Sequence, residues 1–554
     1  MELHYATIWE SIADTIPTAT AVVHGDTTRT WSHYDERAAR IASAYSAAGL
    51  AHDSKVGLYL FNGNEYLEAQ YGAFKMRGVP VNVNYRYLDD ELWYLLDNAD
   101  AEALVFHSSL GDRVARVLGR LPKLKLLIEV DDGAAGQVTG ALQYESVLAA
   151  HQPMERIARS ADDIYMLYTG GTTGMPKGVM YDMTSHVGLF LRSGFPLLGQ
   201  GVPQTADEVA PIVRLIAESG NRMIAIPCAP LMHGTGLWLG SFASHLTGGE
   251  VITLTSRTLD PHEVMKTAQR RRATSLVIVG DAFAKPLVAA IDEAAARGEP
   301  YDLSSVRVMI SSGVMWTTEV KQQLLERIPQ VLLYDAIGST EGSVGNQMST
   351  RGGSTATARF TQNPTTKVFL EDGREVVPGS DEVGMVAAGG FVPLGYFKDP
   401  EKSARTFRTI DGVRYSFPGD LAQVAADGTL ILLGRGSQVI NTGGEKVFPE
   451  EVEEAVKRVP GVTDCLVIGI DDERFGQAVA AVVATDGTPM DEAGVIAHVK
   501  TQLAGFKAPK RVVFVDQVPR APNGKADYKR AKQYVLEGSP PTPDPANFGR
   551  TRPS

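Results

Sequence analysis

Short apolar stretches alternate with amphipathic stretches from Ala21 to Ile310. Strand-like runs occupy residues 56–60, 103–106, 275–279 and 306–310, and helix-like patterns occupy residues 34–48 and 89–99. Regular alternation of strands and helices is typical of layered α/β folds. Runs that are apolar at nearly every position indicate strands buried on both faces, as in parallel sheets. The pattern therefore predicts a large α/β domain.

The pattern changes after about Val368, where the strand-like runs are shorter and Asp-Gly turns recur, which predicts a smaller β subdomain. A boundary follows near Gly434, and Pro449 then opens an acidic helix within a self-contained α+β pattern. We predict an N-terminal domain over residues 1–435, a small mobile C-terminal domain over residues 436–538, and a disordered tail over residues 539–554.

The composition is that of a globular protein, because 44% of the 554 residues are hydrophobic and 21% are charged. A formal net charge of −12 argues against general binding of nucleic acid, which requires a basic face. Cys228 and Cys465 lack metal-ligand spacing and suit small buried positions in a reducing compartment. The chain shows no transmembrane segment and no secretory leader, so we expect a cytoplasmic protein.

The most informative segment joins the strand-like run 164–169 to a glycine- and threonine-rich loop that ends in a lysine. Its glycines let backbone N–H groups converge on an anion, its threonine hydroxyls add donors, and its lysine adds a positive charge. The loop departs from the Walker pattern, since Pro176 precedes the lysine and Gly178 follows it. The segment predicts a phosphate-binding loop, and the alternative is a surface turn. The candidate residues are Thr169, Gly170, Gly171, Thr172, Thr173, Gly174 and Lys177.

Further short motifs follow in the order that a nucleotide-dependent ligase requires. A carboxylate and a hydroxyl on a glycine-bounded loop suit Mg²⁺ beside triphosphate oxygens, and a carboxylate fixed by a turn suits ribose hydroxyls. Taken singly, such residues are equally typical of a capped turn, a buried histidine or a solvated lysine. The candidates are His233, Ser339, Thr340, Glu341, Asp420, Arg435 and Lys525.

The ordered set of motifs resembles the AMP-forming adenylating enzymes, which include acyl-CoA synthetases, luciferases and nonribosomal adenylation domains. The likeness covers nearly the whole chain. Gly443–Val452 is similar to the fatty acyl-CoA synthetases, and Tyr168–Gly174, Asn82–Tyr87 and Gly280–Ala282 resemble actinobacterial enzymes that activate fatty or steroid side-chain acids. The resemblance implies a layered α/β N-terminal domain with a small β subdomain, and a small mobile α+β C-terminal domain.

The resemblance also implies roles for the motifs of the predicted N-terminal domain. The loop from Thr169 to Lys177 would bind the β- and γ-phosphates of ATP. Thr340, next to Ser339, would contact phosphate, and Glu341 would hold Mg²⁺. Gly313, in a looser match to the family's adenine loop, would contact the base.

Other motifs would act on the ribose, the acid and CoA. Asp420 and Arg435 would hold the ribose, and His233 would line the junction between the acyl pocket and the adenylate. Lys525 would contact the carboxylate and the α-phosphate during adenylation. The glycines of the Gly443-Gly444 loop would leave room for the pantetheine arm of CoA.

The implied reaction is ATP-dependent activation of a carboxylic acid to acyl-AMP, followed by transfer to CoA with release of AMP. The expected acid is a long- or medium-chain fatty acid or a steroid side-chain acid, and the expected ligands are ATP, CoA and Mg²⁺. Alternatives are an acyl-AMP ligase that serves a carrier protein, an aromatic-acid CoA ligase, and a nucleotide-binding regulatory protein that has lost catalysis. A homodimer is the default expectation for such an enzyme.

Two positions depart from the family pattern. Ser437 stands at the hinge position, where Asp or Lys is common, and Ile337 stands at the adenine-stacking position, where tyrosine is frequent. In addition, the polar, glycine-containing segment 199–221 predicts either an inserted lid or a dimer contact.

Overall fold

The computed structural model describes residues 2–134, 138–170, 175–442, 445–472, 475–521 and 524–538. The predicted tail, residues 539–554, lies outside the described residues. The chain folds into two compact units. The first comprises Met1–Thr357, Asn363–Thr366 and Ala387–Pro418, and the second comprises Ala358–Gln362, Lys367–Val386 and the chain from Gly419 onward. The domain boundary after residue 435 stays a prediction.

The helices of the described residues are α1 (Tyr5–Thr15), α2 (Trp31–Ala47), α3 (Asn64–Lys75), α4 (Asp89–Asn98), α5 (Gly111–Leu118), α6 (Tyr144–Ala150), α7 (Met183–Leu197), α8 (Ala206–Glu218), α9 (Ala243–Leu246), α10 (Pro261–Arg271), α11 (Gly280–Ala296), α12 (Thr318–Arg327), α13 (Pro400–Thr406), α14 (Pro449–Lys457), α15 (Glu492–Gln502) and α16 (Tyr528–Glu537). Short 3₁₀ helices span Ser108–Leu110 and Gly436–Gln438, and a π-helix spans Thr235–Phe242.

The strands are β1 (Thr20–His24), β2 (Thr27–Thr30), β3 (Lys55–Tyr59), β4 (Val79–Asn82), β5 (Ala101–His107), β6 (Leu126–Val130), β7 (Leu142–Gln143), β8 (Ile164–Thr169), β9 (Lys177–Asp182), β10 (Ile224–Pro227), β11 (Glu250–Thr253), β12 (Ser275–Ile278), β13 (Val308–Ser312), β14 (Leu332–Ser339), β15 (Gly342–Ser349), β16 (Arg359–Gln362), β17 (Thr366–Phe369), β18 (Gly384–Ala388), β19 (Gly395–Tyr396), β20 (Phe407–Ile410), β21 (Val413–Ser416), β22 (Asp420–Val424), β23 (Leu430–Arg435), β24 (Ile440–Thr442), β25 (Glu445–Val447), β26 (Val462–Asp472), β27 (Gly476–Thr485) and β28 (Arg511–Val515).

Among the described residues, the first unit contains two largely parallel sheets, a small antiparallel sheet and the antiparallel strand pair β20–β21. One sheet has the order β4-β3-β5-β6-β7, and all of its strand pairs are parallel. In the second, β1-β11-β10-β12-β13-β14 are parallel, and β2 and β15 add antiparallel strands. Strands β19, β9 and β8 form the antiparallel sheet. Strands β3 and β12 are buried along their whole length, as their apolar runs predict.

An aromatic core lies where α1, α3 and α7 meet β8 and the π-helix. The centres of neighbouring rings lie 4.0–6.4 Å apart, in stacked, tilted and edge-on arrangements. Tyr165 Oη accepts a hydrogen bond from Trp238 Nε1 at 2.7 Å, so this buried indole N–H is satisfied. The members are Tyr5, Trp9, Phe74, Tyr165, His186, Trp238 and Phe242. This packing fixes the strand that leads into the predicted phosphate loop.

The segment 199–221 is not a lid. Most of it forms α8, whose Val209, Val213 and Ile216 are buried in the same core as α1. Its polar residues occupy the opposite, exposed face, which is the usual pattern of an amphipathic surface helix. The composition of the segment therefore reflects one solvated helix face, and the dimer contact stays a prediction.

The second unit ends in a small α+β fold. Its sheet contains β24–β28, with β26 and β27 forming a long antiparallel pair and β28 adding in parallel. Helices α14 and α15 bury Val452, Val456 and Val495 with one side-chain cluster of this sheet, and α16 buries Val535 with another. The predicted fold class is confirmed: a large layered α/β part and a small α+β part.

Candidate active site

The predicted phosphate-binding loop connects two strands that pair with each other. Strands β8 and β9 pair antiparallel, with Thr169 opposite Lys177, so these two residues flank the turn. A Cβ placed on Gly170 would meet no atom within 4 Å, which leaves the backbone here open to a ligand. The other predicted residues of this turn, Gly171, Thr172, Thr173 and Gly174, lie outside the described residues.

Lys177 belongs to a group of polar side chains that we call the Tyr396 cluster: Lys177, Glu341, Tyr396, Asp399 and Lys402. Lys177 Nζ lies 3.5 Å from Asp399 Oδ2 and 5.6 Å from the centre of the Tyr396 ring. Lys402 Nζ lies 5.3 Å from the centre of the same ring. Burial and the neighbouring Lys177 ammonium lower the pKa of Lys402 below its ordinary value.

Thr340 and Glu341 form the two-residue turn of a second hairpin, in which Ser339 of β14 pairs with Gly342 of β15. The Glu341 backbone N–H donates to Ser339 Oγ at 3.1 Å, and Thr340 Oγ1 donates to Glu341 Oε2 at 3.2 Å. A Cβ on Gly342 would lie 2.8 Å from Ala388 Cβ, so only glycine permits this close packing. The two hydroxyls therefore fix the tip of the hairpin and orient its carboxylate.

Two tyrosines connect the hairpins. Tyr396 lies on β19, which pairs with β9, and its hydroxyl donates to Glu341 Oε1 at 2.9 Å. Tyr181, on β9 itself, donates to the Thr340 carbonyl oxygen at 3.2 Å. Burial, with a further contribution from the Glu341 carboxylate, raises the pKa of both tyrosines, so both hydroxyls remain donors at neutral pH. The structure thus brings Lys177 and Glu341 into one site.

Sequence reasoning missed Tyr396, Asp399 and Lys402. Asp399 caps α13, because its Oδ1 accepts from the Lys402 backbone N–H at 3.0 Å, and Pro400 begins the helix. The Asp-Pro start of a helix, three residues after Tyr396, was the available signal. Its proximity to Lys177 depends on the pairing of β19 with β9, which the residues alone do not indicate.

His233 lies in a half-buried turn just before the π-helix, and Leu237 N–H donates to its carbonyl oxygen at 3.0 Å. Asn82 fixes this turn: its Nδ2 donates to the Met232 carbonyl at 2.7 Å and to the Tyr168 carbonyl at 2.8 Å. Its Oδ1 accepts from Tyr168 N–H at 2.7 Å. One buried amide therefore joins the histidine turn to the end of β8, directly before the phosphate loop.

Gly313 follows β13 in a left-handed conformation, with φ of 93°, and is exposed. The residues after it are held against the start of α11, because Asp281 accepts from both the Thr317 N–H and the Thr317 hydroxyl at 2.9 Å. A Cβ on Gly280 would lie 2.4 Å from the Met315 carbonyl, so this approach requires glycine. The structure thereby fixes the loop that carries Gly313 at the carboxyl end of the parallel sheet.

The predicted residues of the second unit lie on turns and strand ends. Asp420 and Arg435 are opposite each other at the ends of β22 and β23. Lys525 lies in a tight turn, where its carbonyl accepts from the Ala521 N–H at 2.7 Å. Gly443 and Gly444 lie outside the described residues.

The donor set fits Mg²⁺ only as an ion shared with a polyphosphate. No group of three or more His, Cys, Asp or Glu side chains that could hold a metal occurs in the part of the chain that the structure describes. Mg²⁺ commonly binds proteins through one or two carboxylates together with substrate phosphates and water. The Glu341 carboxylate, half-buried and oriented by hydroxyl groups, is suited to that arrangement.

The cysteines do not contribute reactive thiols. Burial raises the pKa of Cys228 to about 12 and that of Cys465 well above its ordinary value. Both thiols therefore stay protonated at neutral pH. Separately, none of the helices in the described ranges has the length and apolar character needed to span a bilayer.

Comparison with known protein families shows the family to which the chain belongs. The model of the AMP-binding enzyme family matches residues 9–397, and that of the AMP-binding enzyme C-terminal domain matches residues 451–525. The chain belongs to the AMP-binding enzyme family. The medium-chain acyl-CoA ligase Mig of Mycobacterium avium is 40% identical to it, covering 96% of this chain and 98% of the relative. The 3-oxocholest-4-en-26-oate–CoA ligase of Rhodococcus rhodochrous is 40% identical, covering 97% and 96%.

Solved structures show the same fold. The anthranilate CoA ligase AuaEII in complex with anthranoyl-AMP aligns with a TM-score of 0.81 at 22% identity, covering 97% of this chain and 98% of that chain. ATP-bound MatB from Rhodopseudomonas palustris aligns with a TM-score of 0.79 at 25% identity, covering 96% and 99%. The family model and the relatives at 40% identity confirm the predicted family and its acyl-CoA synthetase branch, and the chain is an AMP-binding enzyme related to CoA ligases.

Proposed function

We propose that this enzyme activates a medium- or long-chain fatty acid or a steroid side-chain acid with ATP and transfers the acyl group to CoA. The observation that carries the proposal is the meeting of the two hairpins at the Tyr396 cluster, where Lys177 and Glu341 supply a cation and a metal-binding carboxylate. The names of the relatives at 40% identity support the acid class.

In the first step a carboxylate oxygen of the acid bonds to the α-phosphorus of ATP, and the bond from that phosphorus to the bridging oxygen breaks, which releases pyrophosphate. Thr169, Gly170 and Lys177, with the turn between them, bind the β- and γ-phosphates. Glu341 would hold Mg²⁺, which neutralises phosphate charge when bound. Ser339 and Thr340 orient Glu341 and contact phosphate. These residues contribute positioning and charge, which phosphoryl transfer chiefly requires.

In the second step the CoA sulfur bonds to the acyl carbonyl carbon, the bond to the AMP oxygen breaks, and the thiol proton is released to solvent. We assign His233 to the boundary between the acid and the adenylate, since Asn82 fixes its turn beside β8. Gly313 contacts the adenine, and Asp420 and Arg435 bind the ribose.

We assign Lys525 chiefly to adenylation and the Gly443-Gly444 loop to CoA. Two such roles, on a C-terminal domain over residues 436–538, imply that this domain rotates between the steps, with Ser437 at the hinge. A cytoplasmic location, a homodimer and a disordered tail over residues 539–554 remain predictions.

An apolar surface on the parallel sheet supports a long acid. Val277, Val308 and Ile310 are buried there, and the half-buried Leu239 of the π-helix packs against them. Leu197 and Tyr334 complete this cluster. A cavity of about 90 Å³ at the amino ends of the strands is lined in part by Leu197 and Val308.

The test is incubation of the purified protein with ATP, Mg²⁺ and CoA and with medium-chain, long-chain, steroid side-chain or aromatic acids, followed by measurement of AMP and thioester. CoA-dependent AMP and thioester with an aliphatic or steroid acid is the expected result. Pyrophosphate release without thioester would instead favour a carrier-protein acceptor. Thioester with aromatic acids alone would overturn the acid class, and no turnover with any acid would favour the regulatory alternative.

A further inference from the structure

Lys402 is a cation of the site that lies outside its sequence motifs. It lies in the first turn of α13, and its backbone is held by the Asp399 carboxylate. Its ammonium lies 5.3 Å from the centre of the Tyr396 ring, where the Lys177 ammonium lies 5.6 Å from the same point. Both side chains therefore converge on one ring at the base of the phosphate loop.

The charges around this ring come from three separate elements. Lys177 is on β9, Asp399 and Lys402 are at the start of α13, and Glu341 is at the tip of the β14–β15 hairpin. The Lys177 ammonium is 3.5 Å from Asp399, and Glu341 accepts from the Tyr396 hydroxyl at 2.9 Å. The cluster holds two lysines and two carboxylates.

Glu341 is the carboxylate assigned to Mg²⁺ above. With its charge directed to the metal, Asp399 is left to balance both ammonium groups. Bringing two like charges together is unfavourable unless an anion joins them, and burial makes the repulsion stronger. A polyphosphate, with several negative oxygens in a short span, matches two adjacent ammonium groups.

We propose that Lys402 is a second phosphate-binding cation, which together with Lys177 binds the β- and γ-phosphates of ATP and then the pyrophosphate product. The inference rests on the proposed function and extends it to a residue outside the loop motif. The pair contacts only the pyrophosphate part of ATP. Loss of the Lys402 charge should therefore weaken the binding of ATP and of pyrophosphate and leave the binding of the acid and of CoA unchanged.

Lys402→Gln should raise the KM for ATP and the inhibition constant of pyrophosphate by about tenfold, the usual effect of losing a charge-assisted hydrogen bond. Lys402→Arg, which keeps the charge, should bring the KM for ATP and the inhibition constant of pyrophosphate most of the way back to the wild-type values. The matched control is Lys398→Gln, because Lys398 lies on the same segment but pairs with Asp100 at 2.7 Å and is 41% exposed. That control should leave both constants unchanged.

Two measurements separate this inference from the proposed function. Acid-dependent ATP–pyrophosphate exchange by the wild type tests the function, and calorimetric titration with inorganic pyrophosphate and Mg²⁺ tests the cation pair without turnover. If the wild type exchanges and Lys402→Gln binds pyrophosphate and ATP as tightly as Lys398→Gln does, the role of Lys402 is refuted. If pyrophosphate binds through Lys402 but no acid supports exchange, the ligase proposal fails instead.

Discussion

Two clusters in the first unit have nearly the same composition and opposite settings. The Lys75 cluster, defined as Glu10, Asp35, Tyr71, Lys75 and Arg159, joins lysine, carboxylates and a tyrosine ring, as the Tyr396 cluster does. Lys75 Nζ contacts Glu10 at 2.8 Å and Asp35 at 2.7 Å, and it lies 4.5 Å from the centre of the Tyr71 ring. Arg159 adds bonds of 2.7 and 2.8 Å to Glu10.

The difference lies in exposure, because each cluster holds two cations and two carboxylates. Lys75 and Glu10 are 3% and 5% exposed at the side chain, whereas Lys177 and Asp399 are 27% and 35% exposed. Burial raises the pKa of Glu10, but hydrogen bonding to Arg159 and attraction to Lys75 outweigh it and hold that pKa below its ordinary value. A closed, paired cluster stabilises the fold, and an open cluster with two adjacent lysines is suited to receive an anion.

The largest expected effect is on the free energy of unfolding, at the Lys75 cluster. Lys75→Met removes one partner from a buried network and should lower the free energy of unfolding by about 3–5 kcal/mol. Urea denaturation followed by fluorescence would measure it. The activity of the remaining folded protein should match the wild type, and equal stability of the two proteins would show that the cluster is not structural.

The next largest effect is expected on catalysis, at the Tyr396 cluster. Glu341→Gln keeps the shape of the side chain but removes the proposed metal-binding charge, so acid-dependent ATP–pyrophosphate exchange should fall on the order of 100-fold. The free energy of unfolding should change little, because the carboxylate is half-exposed. Undiminished exchange at limiting Mg²⁺ would remove Glu341 from the metal site.

A smaller effect is expected at the residue that joins the two hairpins. Tyr396→Phe deletes the hydroxyl that donates to Glu341 and should reduce exchange about fivefold, as expected for one hydrogen bond. The half-saturating Mg²⁺ concentration should rise with it. A variant that loses stability but keeps its Mg²⁺ dependence would place Tyr396 in folding alone.

The smallest effect is expected on the exposed side of α13. Arg405 pairs with Glu401 at 3.0 Å, and both side chains are largely exposed. Arg405→Gln should therefore change the free energy of unfolding by less than about 0.5 kcal/mol and leave the KM for ATP unchanged. A marked rise in that KM would mean that positive charge anywhere on α13 acts on ATP, and that Lys402 has no specific role.

The sequence predicted those features that depend on local pattern. The apolar runs at 275–279 and 306–310 became strands β12 and β13, and the motif that contains Thr340 and Glu341 became a hairpin turn. Glu341 and Lys177 were predicted as site residues because glycine and hydroxyl-bearing residues stand next to them in the sequence. The lid predicted for segment 199–221 was wrong, because its polar residues form one face of α8 while its apolar residues reach the core.

The remaining parts of the site depend on contacts distant in sequence. Tyr396 reaches Glu341, 55 positions away, only because β19 pairs with β9. Asn82 joins Tyr168 to Met232, across separations of 86 and 150 positions. No periodicity or spacing within a segment reports such pairings, since they follow from how strands assemble into sheets.

Acyl-AMP is expected to form at the Tyr396 cluster. The most direct test of that step is ³¹P NMR of the wild-type enzyme with ATP, Mg²⁺ and a long-chain or steroid side-chain acid, before and after CoA is added. We expect pyrophosphate and enzyme-bound acyl-AMP without CoA, and catalytic release of AMP once CoA is present. Formation of ADP and inorganic phosphate would contradict attack at the α-phosphorus, and with it the assignment of Lys177 and Glu341 to a pyrophosphate-releasing site.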